Sequence, residues 1–400
     1  MVNYLFATDE QKELAEIAGK ICQEELKPRI EEYESADNGL GRYPMEVHKT
    51  LTASGCFAVT IPEEYGGLGL SSITEAIILE QLGKADAGFA FAFAAAYAQW
   101  PNILKTHMPD ADKQVWIDKV LNGAIGSFCL TESDAGSDPA SMRTSAVYDK
   151  AADEWVINGA KCFCSGAPNA EYFVVMAWTD KTQRPGKGIT AFFVEKERGV
   201  QIGKKENKLG IHLSETADVI FDEVRVPADH VIGETNRGFG FALTTLKATS
   251  AICNCCPVLG SAQAALDFAV EYAKTRRQFG KRIIDHQAVG FMIADMSMKT
   301  AAARAMLYEF IKACDCNVDD QNLALMIKCY VTDTANEVCN MAIQVLGGYG
   351  YMKDYPVERY MRNARIFQIF GGTNEIKRKN LAKAIAGKDP EANKKQYGGN

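Results

Sequence analysis

The sequence predicts an α+β multi-domain protein, with helices at both ends and strands between. Three observations carry this. Apolar residues recur at helical spacing up to about residue 125, β-rich runs split by Gly, Pro and charged turns fill 126–232, and long helical patterns return thereafter. The 400 residues leave room for two or three domains of about 150 residues each, with a sizeable core. We assign 1–125 to an N-terminal helical domain, 126–232 to a middle β domain, 233–386 to a C-terminal helical bundle and 387–400 to a polar tail.

Taken in order, Thr8 with Gln11 makes a capping box, and Leu14, Ile17, Ile21 and Leu26 follow at helical spacing until Pro28 ends the run. Residues 61–70 (Ile-Pro-Glu-Glu-Tyr-Gly-Gly-Leu-Gly-Leu) form a breaker-rich loop. Residues 72–82 and 88–104 read as apolar core helices. Asp86 is placed to cap the second, on which Phe89, Phe91 and Phe93 alternate with alanines. Within the β domain, the run 155–157 ends in Asn158-Gly159, which predicts a hairpin turn, and 172–178, 189–194 and 219–221 read as strands. The stretches 239–276, 286–316 and 322–346 are long enough for a four-helix bundle, with Pro257 marking a kink or joint in the first.

Composition narrows the function. Lys+Arg is 44 against Asp+Glu 51, a formal charge of −7, which argues against nucleic-acid binding. No apolar run reaches the length of a membrane span. Asp9, Glu10 and Glu13 replace the basic start of a signal peptide. The twelve cysteines read as buried thiols in a reducing cytoplasm, and such thiol content suits anaerobic metabolism. Cys253 and Cys256 form a C-x-x-C without a second pair, and the five histidines lack ligand spacing, so no metal is expected. Rossmann, P-loop, H-E-x-x-H and G-x-S-x-G motifs are absent.

Three stretches belong together: Phe128-Cys-Leu-Thr-Glu-Ser-Asp-Ala-Gly-Ser-Asp138; Arg276-Arg-Gln-Phe-Gly-Lys281 with His286-Gln287; and Gln344-Val-Leu-Gly-Gly-Tyr-Gly-Tyr351 with Phe370-Gly-Gly-Thr-Asn-Glu-Ile-Lys-Arg378. In this order, on a helix–β–helix chain, they resemble the acyl-CoA dehydrogenase family over about residues 1–386. The resemblance implies that family's fold, with a β-barrel-like middle domain, and FAD bound between that domain and the C-terminal bundle. In most members a neighbouring subunit of the tetramer or dimer completes the site, and a homotetramer is implied here. Carried over by position, Phe128, Leu130, Thr131 and Gly136 line the isoalloxazine, and Ser137 reaches flavin or the thioester. Phe163 stands where the family has Trp, and Ser165 where it has Thr. Arg276, Phe279 and Gln287 match contacts to another subunit's FAD. Gln344, Gly347 and Gly348 match a backbone cradle for its adenosine half, and Thr373 and Glu375 match the loop opening the last helix.

The resemblance also implies a reaction: a carboxylate removes the proton α to a thioester while hydride passes from the β-carbon to flavin N5. The family's usual base position is Gly371 here, and its minority position is Thr249; neither is a base. Lys247 and Ser250 replace an acid and an arginine that help hold CoA, and Gly371 and Gly372 border the acyl group. Three explanations stay open: a dehydrogenase or reductase with a displaced base, a lyase or desulfinase-like flavoprotein, or an impaired subunit of a hetero-oligomer. Phe91 and its neighbours would floor a short, aromatic-lined pocket suited to a small or cyclic acyl group. Asp86 and Tyr97 are candidates for the base. An acyl-CoA substrate and an electron-transferring flavoprotein are the partners implied.

Overall fold

The computed structural model describes residues 7–106, 108–183, 186–316, 318 and 320–387, the side chains of 111 and 246–250 excepted. His107 and the tail beyond 387 lie outside the described residues.

The first unit is helical: α1 (Asp9–Ile21), α2 (Ile30–Gly39), α3 (Met45–Ala53), α4 (Ser72–Ala85), α5 (Ala87–Ala95), α6 (Trp100–Ile103) and α7 (Asp110–Leu121). Both hydrogen bonds of the Thr8–Gln11 capping box are present. Pro28 lies in a short 3-10 turn preceded by a π turn over Cys22–Leu26. The stretch expected as one helix over 88–104 is two, with a break after α5. Pro101 near the start of α6 cannot sit inside a helix containing Tyr97, because its ring would meet that residue's carbonyl.

The strands are β1 (Gly126–Cys129), β2 (Ser145–Asp149), β3 (Glu154–Ser165), β4 (Tyr172–Trp178), β5 (Ile189–Glu195), β6 (Gln201–Lys205), β7 (Thr216–Pro227) and β8 (Val231–Ile232). They form one sheet in the order β6-β7-β3-β2-β4-β5-β8, with β1 parallel to β4. Alternation sorts β4 and β5 between two cores. Tyr172, Val174 and Phe193 face the helices, whereas Phe173, Val175 and Phe192 pack beneath β3 and β7. Asn158-Gly159 is not a hairpin turn: β3 runs through it, with a register shift against β7 between Ile157 and Gly159. A Cβ on Gly159 would lie 2.5 Å from Thr144 Oγ1, so this glycine serves a bulge and a close approach instead of a turn.

The C-terminal helices are α8 (Gly238–Thr249), α9 (Cys256–Thr275), α10 (Gln287–Asp315), α11 (Gln321–Leu346), α12 (Val357–Ile366) and α13 (Asn374–Ala386). A small hairpin of β9 (Arg277–Gln278) and β10 (Lys281–Arg282) precedes α10. The joint expected at Pro257 is a π turn over Ser250–Cys255 between α8 and α9. α4 and α9 meet backbone to backbone. A Cβ on Gly83 would lie 2.2 Å from Pro257 O, and one on Gly260 would lie 2.2 Å from Glu80 O. This contact sets the π turn against the N-terminal helices. No described helix is long and apolar enough to cross a membrane.

Candidate functional site

The segment after β1 folds back on itself, with Glu132 and Ala135 paired through their backbones. The Glu132 carboxylate accepts from Thr144 N at 3.0 Å and from Lys161 Nζ at 2.8 Å, and Lys161 also donates to Leu130 O at 3.1 Å. Burial works to raise the Glu132 carboxyl, but the Lys161 charge and these bonds hold it below its ordinary value. The pair therefore pins the loop to β3. Leu130 is buried, Phe128 and Thr131 are half-buried, and Gly136 and Ser137 are exposed.

Cys162 N donates to Thr131 O at 2.9 Å, which lays β3 alongside this loop. The next residue, Phe163, sits where the β3–β7 register shifts, at φ 57°, with 63% of its surface exposed. A bulky residue in the left-handed region is strained by about 1–2 kcal/mol, and here the strain turns an aromatic ring outward instead of inward. Ser165 follows on the same strand, half-buried.

The second group lies at one end of the bundle. The β9–β10 hairpin turns at Phe279 (φ 51°) and Gly280 (φ 79°), and Phe279 is 94% exposed. The Arg276 guanidinium lies 5.6 Å from the Tyr349 ring, which joins the hairpin to the Gly347–Tyr351 turn after α11. A Cβ on Gly136, Gly347 or Gly348 would meet nothing within 4 Å, so open space faces all three. Gln287 and Gln344 are exposed on α10 and α11, and Glu375 is exposed in the first turn of α13. Thr373 caps that helix by accepting from Ile376 N at 3.2 Å. An outward aromatic, a free guanidinium face, open glycine backbone and a capped helix start form a donor set that fits a large aromatic dinucleotide such as FAD.

The third group is the excursion between α12 and α13. Its apex, Phe370-Gly371-Gly372, has φ 64° at Gly371 and 83° at Gly372. Its two stems are gripped by α11. Lys328, fully buried, donates to Phe367 O at 2.6 Å and to Asn374 Oδ1 at 2.9 Å. Asn374 Nδ2 donates to Thr332 Oγ1 and Asp333 Oδ1, and Gln368 Nε2 donates to the same Asp333 oxygen at 2.6 Å. Burial lowers the Lys328 ammonium to about 8 despite these acceptors. The Phe91 ring lies 4.5 Å from Phe370, which brings α5 against the apex.

The expected acids are placed as follows. Asp86 accepts from Phe89 N at 2.8 Å as the cap of α5 and from Asn363 Nδ2 at 2.8 Å. Burial raises its carboxyl while the Arg359 charge opposes this. Tyr97, buried, donates to Glu75 Oε1 at 2.5 Å. Burial drives the Glu75 carboxyl up to about 7, with the Tyr97 bond working against this and the Asp315 charge with it. Sequence reasoning missed Glu75 and Lys328. The available signal was a carboxylate within the largely apolar run Ser72–Leu82 and the one lysine of the stretch 322–346. The backbone of Lys247, Thr249 and Ser250 is helical, but their side chains lie outside the described residues. Among the described residues no His, Cys, Asp and Glu cluster could hold a metal, and none of the twelve cysteines is in a disulfide.

Sequence comparison matches residues 8–124 to the acyl-CoA dehydrogenase N-terminal domain, 127–224 to the middle domain and 236–386 to the C-terminal domain. The chain is 39% identical over 379 residues to the probable acyl-CoA dehydrogenase FadE25 of Mycobacterium tuberculosis, covering 94% of this chain and 95% of that protein. It is 35% identical over 380 residues to the caffeyl-CoA reductase-Etf complex subunit CarC of Acetobacterium woodii, covering 93% and 97%. The structure is similar to butyryl-CoA dehydrogenase from Megasphaera elsdenii, with a TM-score of 0.90 at 34% identity over 97% of this chain and 100% of that one.

Proposed function

The chain belongs to the acyl-CoA dehydrogenase family and is an oxidoreductase acting on CH–CH bonds, and on that premise we propose that it works on a small or cyclic acyl-CoA with its acid–base group displaced. The observation that carries this reading is the loop apex. Gly371 occupies the family's base position at φ 64°, with the Phe91 and Phe370 rings beside it and no carboxylate on it. An aromatic wall there suits a flat, short acyl group better than a long chain.

FAD is the cofactor of this reading. Phe128, Leu130, Thr131, Gly136, Ser137, Phe163 and Ser165 would hold the isoalloxazine. Arg276, Phe279, Gln287, Gln344, Gly347, Gly348, Thr373 and Glu375 would hold the pyrophosphate and adenosine half. Bound there, flavin supplies the hydride acceptor or donor. The chain's own task is to align the acyl group and exclude water. The exposed Phe279 on a strained hairpin supports a site completed by a second copy in a homotetramer. The Etf complex to which CarC belongs supports an electron-transferring flavoprotein as redox partner and admits reduction as the working direction. Twelve cysteines outside any disulfide support a reducing, cytoplasmic setting.

The vacancy at Gly371 also favours one other reading, a flavoprotein lyase that needs no α-proton base. The test is anaerobic addition of straight-chain, branched, cyclohexane and cyclohexene carboxyl-CoA thioesters to oxidised holoprotein. Bleaching of the flavin band by a small or cyclic class is the expected result. Turnover to product without bleaching, and without an external acceptor, would establish the lyase instead.

A further inference from the structure

We propose that Tyr349 is a positioning residue for the cofactor: its ring holds the Arg276 guanidinium ready for the FAD pyrophosphate while leaving its charge unneutralised. The proposal rests on the FAD reading above and deepens it.

Other arginines of the bundle take carboxylates. Arg282, on the same hairpin, bonds Asp285 at 2.8 Å, and Arg378 bonds Asp333. The acid that precedes Arg276 on α9, Glu271, is taken by Lys274 at 2.8 Å. Arg276 has no carboxylate partner among the described residues, and its Cζ stands 5.6 Å from the centre of the Tyr349 ring. A carboxylate in that place would orient the guanidinium but would also cancel its charge and compete with a phosphate for its N–H groups. A ring face attracts the cation through its quadrupole and leaves the N–H fork free.

Both members of the pair stand on fixed backbone. Arg276 N donates to Tyr272 O at 2.8 Å, and Arg276 O accepts from Ile283 N at 2.9 Å. The turn that carries Tyr349 is pressed onto α11, where a Cβ on Gly350 would lie 2.6 Å from Ile343 O. The Tyr349 ring is braced by Tyr355 at 5.4 Å and Tyr272 at 6.4 Å, and those two rings stand 6.4 Å from each other. Tyr349 nevertheless keeps 47% of its surface. Open space also faces the neighbouring Gly347 and Gly348, where an added Cβ would meet nothing within 4 Å. A braced ring, an unpaired cation and bare backbone thus stand together at the end of the bundle, as a dinucleotide pyrophosphate requires. Without the ring, the long Arg276 side chain would have to be ordered when the cofactor arrives, at the expense of affinity.

The test is a double-mutant cycle on FAD-loaded protein, with the rate of FAD release read as free flavin in the ultrafiltrate after dilution. Arg276→Gln should speed release about tenfold or more, as expected for a lost hydrogen bond to a charged group. Tyr349→Leu should speed it roughly threefold to tenfold, the range of a cation–π contact plus a freed side chain. Tyr349→Phe, which keeps the ring, should release FAD as wild type does. In the Arg276→Gln background, Tyr349→Leu should add less than about twofold, because its effect passes through the guanidinium. A merely structural role for Tyr349 would give the same acceleration in both backgrounds. That result, or wild-type release from Tyr349→Leu, would overturn the positioning role while leaving the FAD reading intact. Unchanged release from Arg276→Gln would overturn the pyrophosphate contact and the positioning role together. If Tyr349→Leu fails to fold, Tyr349→Gln is judged by the same outcomes.

Discussion

Replacing Glu75 by Gln isolates the cost of burying this acid. Its carboxyl is lifted from 4.5 to about 7, chiefly by burial. Between those values the folded chain keeps a proton that the unfolded chain has released, so stability falls as pH rises through the window, and the loss is complete above about 7. At ~1.4 kcal/mol per pH unit the loss is about 3 kcal/mol. Gln has no charge to bury, and its carbonyl can still accept from Tyr97. The variant should therefore match wild type near pH 4.5 and exceed it by about 3 kcal/mol at pH 8. Urea unfolding of both proteins at several pH values reads the gap directly. A gap that does not change between pH 5 and pH 8 would show that Glu75 ionises normally and is not destabilised by its burial.

Three further changes probe other parts of the account. Phe163→Gly relieves the left-handed strain at φ 57°, so the FAD-free protein should gain up to about 1 kcal/mol while FAD affinity drops. Retained FAD affinity in a dialysis titration would contradict the assigned flavin wall. Lys328→Met strips Phe367 O and Asn374 Oδ1 of their donor and should cost roughly 2–4 kcal/mol in denaturant unfolding; a loss below about 0.5 kcal/mol would refute the clamp. Asp86→Ala removes the α5 cap and the acceptor of Asn363, and about 2 kcal/mol of stability should go with it. If melting is unchanged, Asp86 is free of the capping role described above.

The architecture was legible because the hydrophobic period changes twice along the chain. Periods of 3.6 residues mark the two helical units, and a short continuous run of aromatic and β-branched residues at Tyr172–Trp178 marks β4, which is buried on both faces. Turn chemistry misled at Asn158-Gly159, where Thr144 needs the glycine for close approach across the sheet. Such a demand arises between strands and leaves no trace in local sequence. Pro101 broke the expected helix over 88–104 because its ring acts on a residue four positions back. For the site, glycine and arginine motifs carried the flavin reading, since those residue types act through backbone and fixed charge. Glu75 and Lys328 stayed hidden because their meaning depends on burial against other helices. A carboxylate at position 75 acquires its raised proton affinity only once folding buries it, with the Tyr97 bond working against the rise.

The most direct measurement of the central claim is made on Gly371→Glu. The left-handed backbone at φ 64° should cost this variant about 1 kcal/mol, which leaves a folded holoprotein. Mixed anaerobically with butyryl-CoA, it should bleach its flavin and release the α,β-unsaturated thioester faster than wild type. A variant that folds, holds FAD and binds butyryl-CoA, yet gains no α,β-dehydrogenation, would contradict the placement of Gly371 opposite the α-carbon.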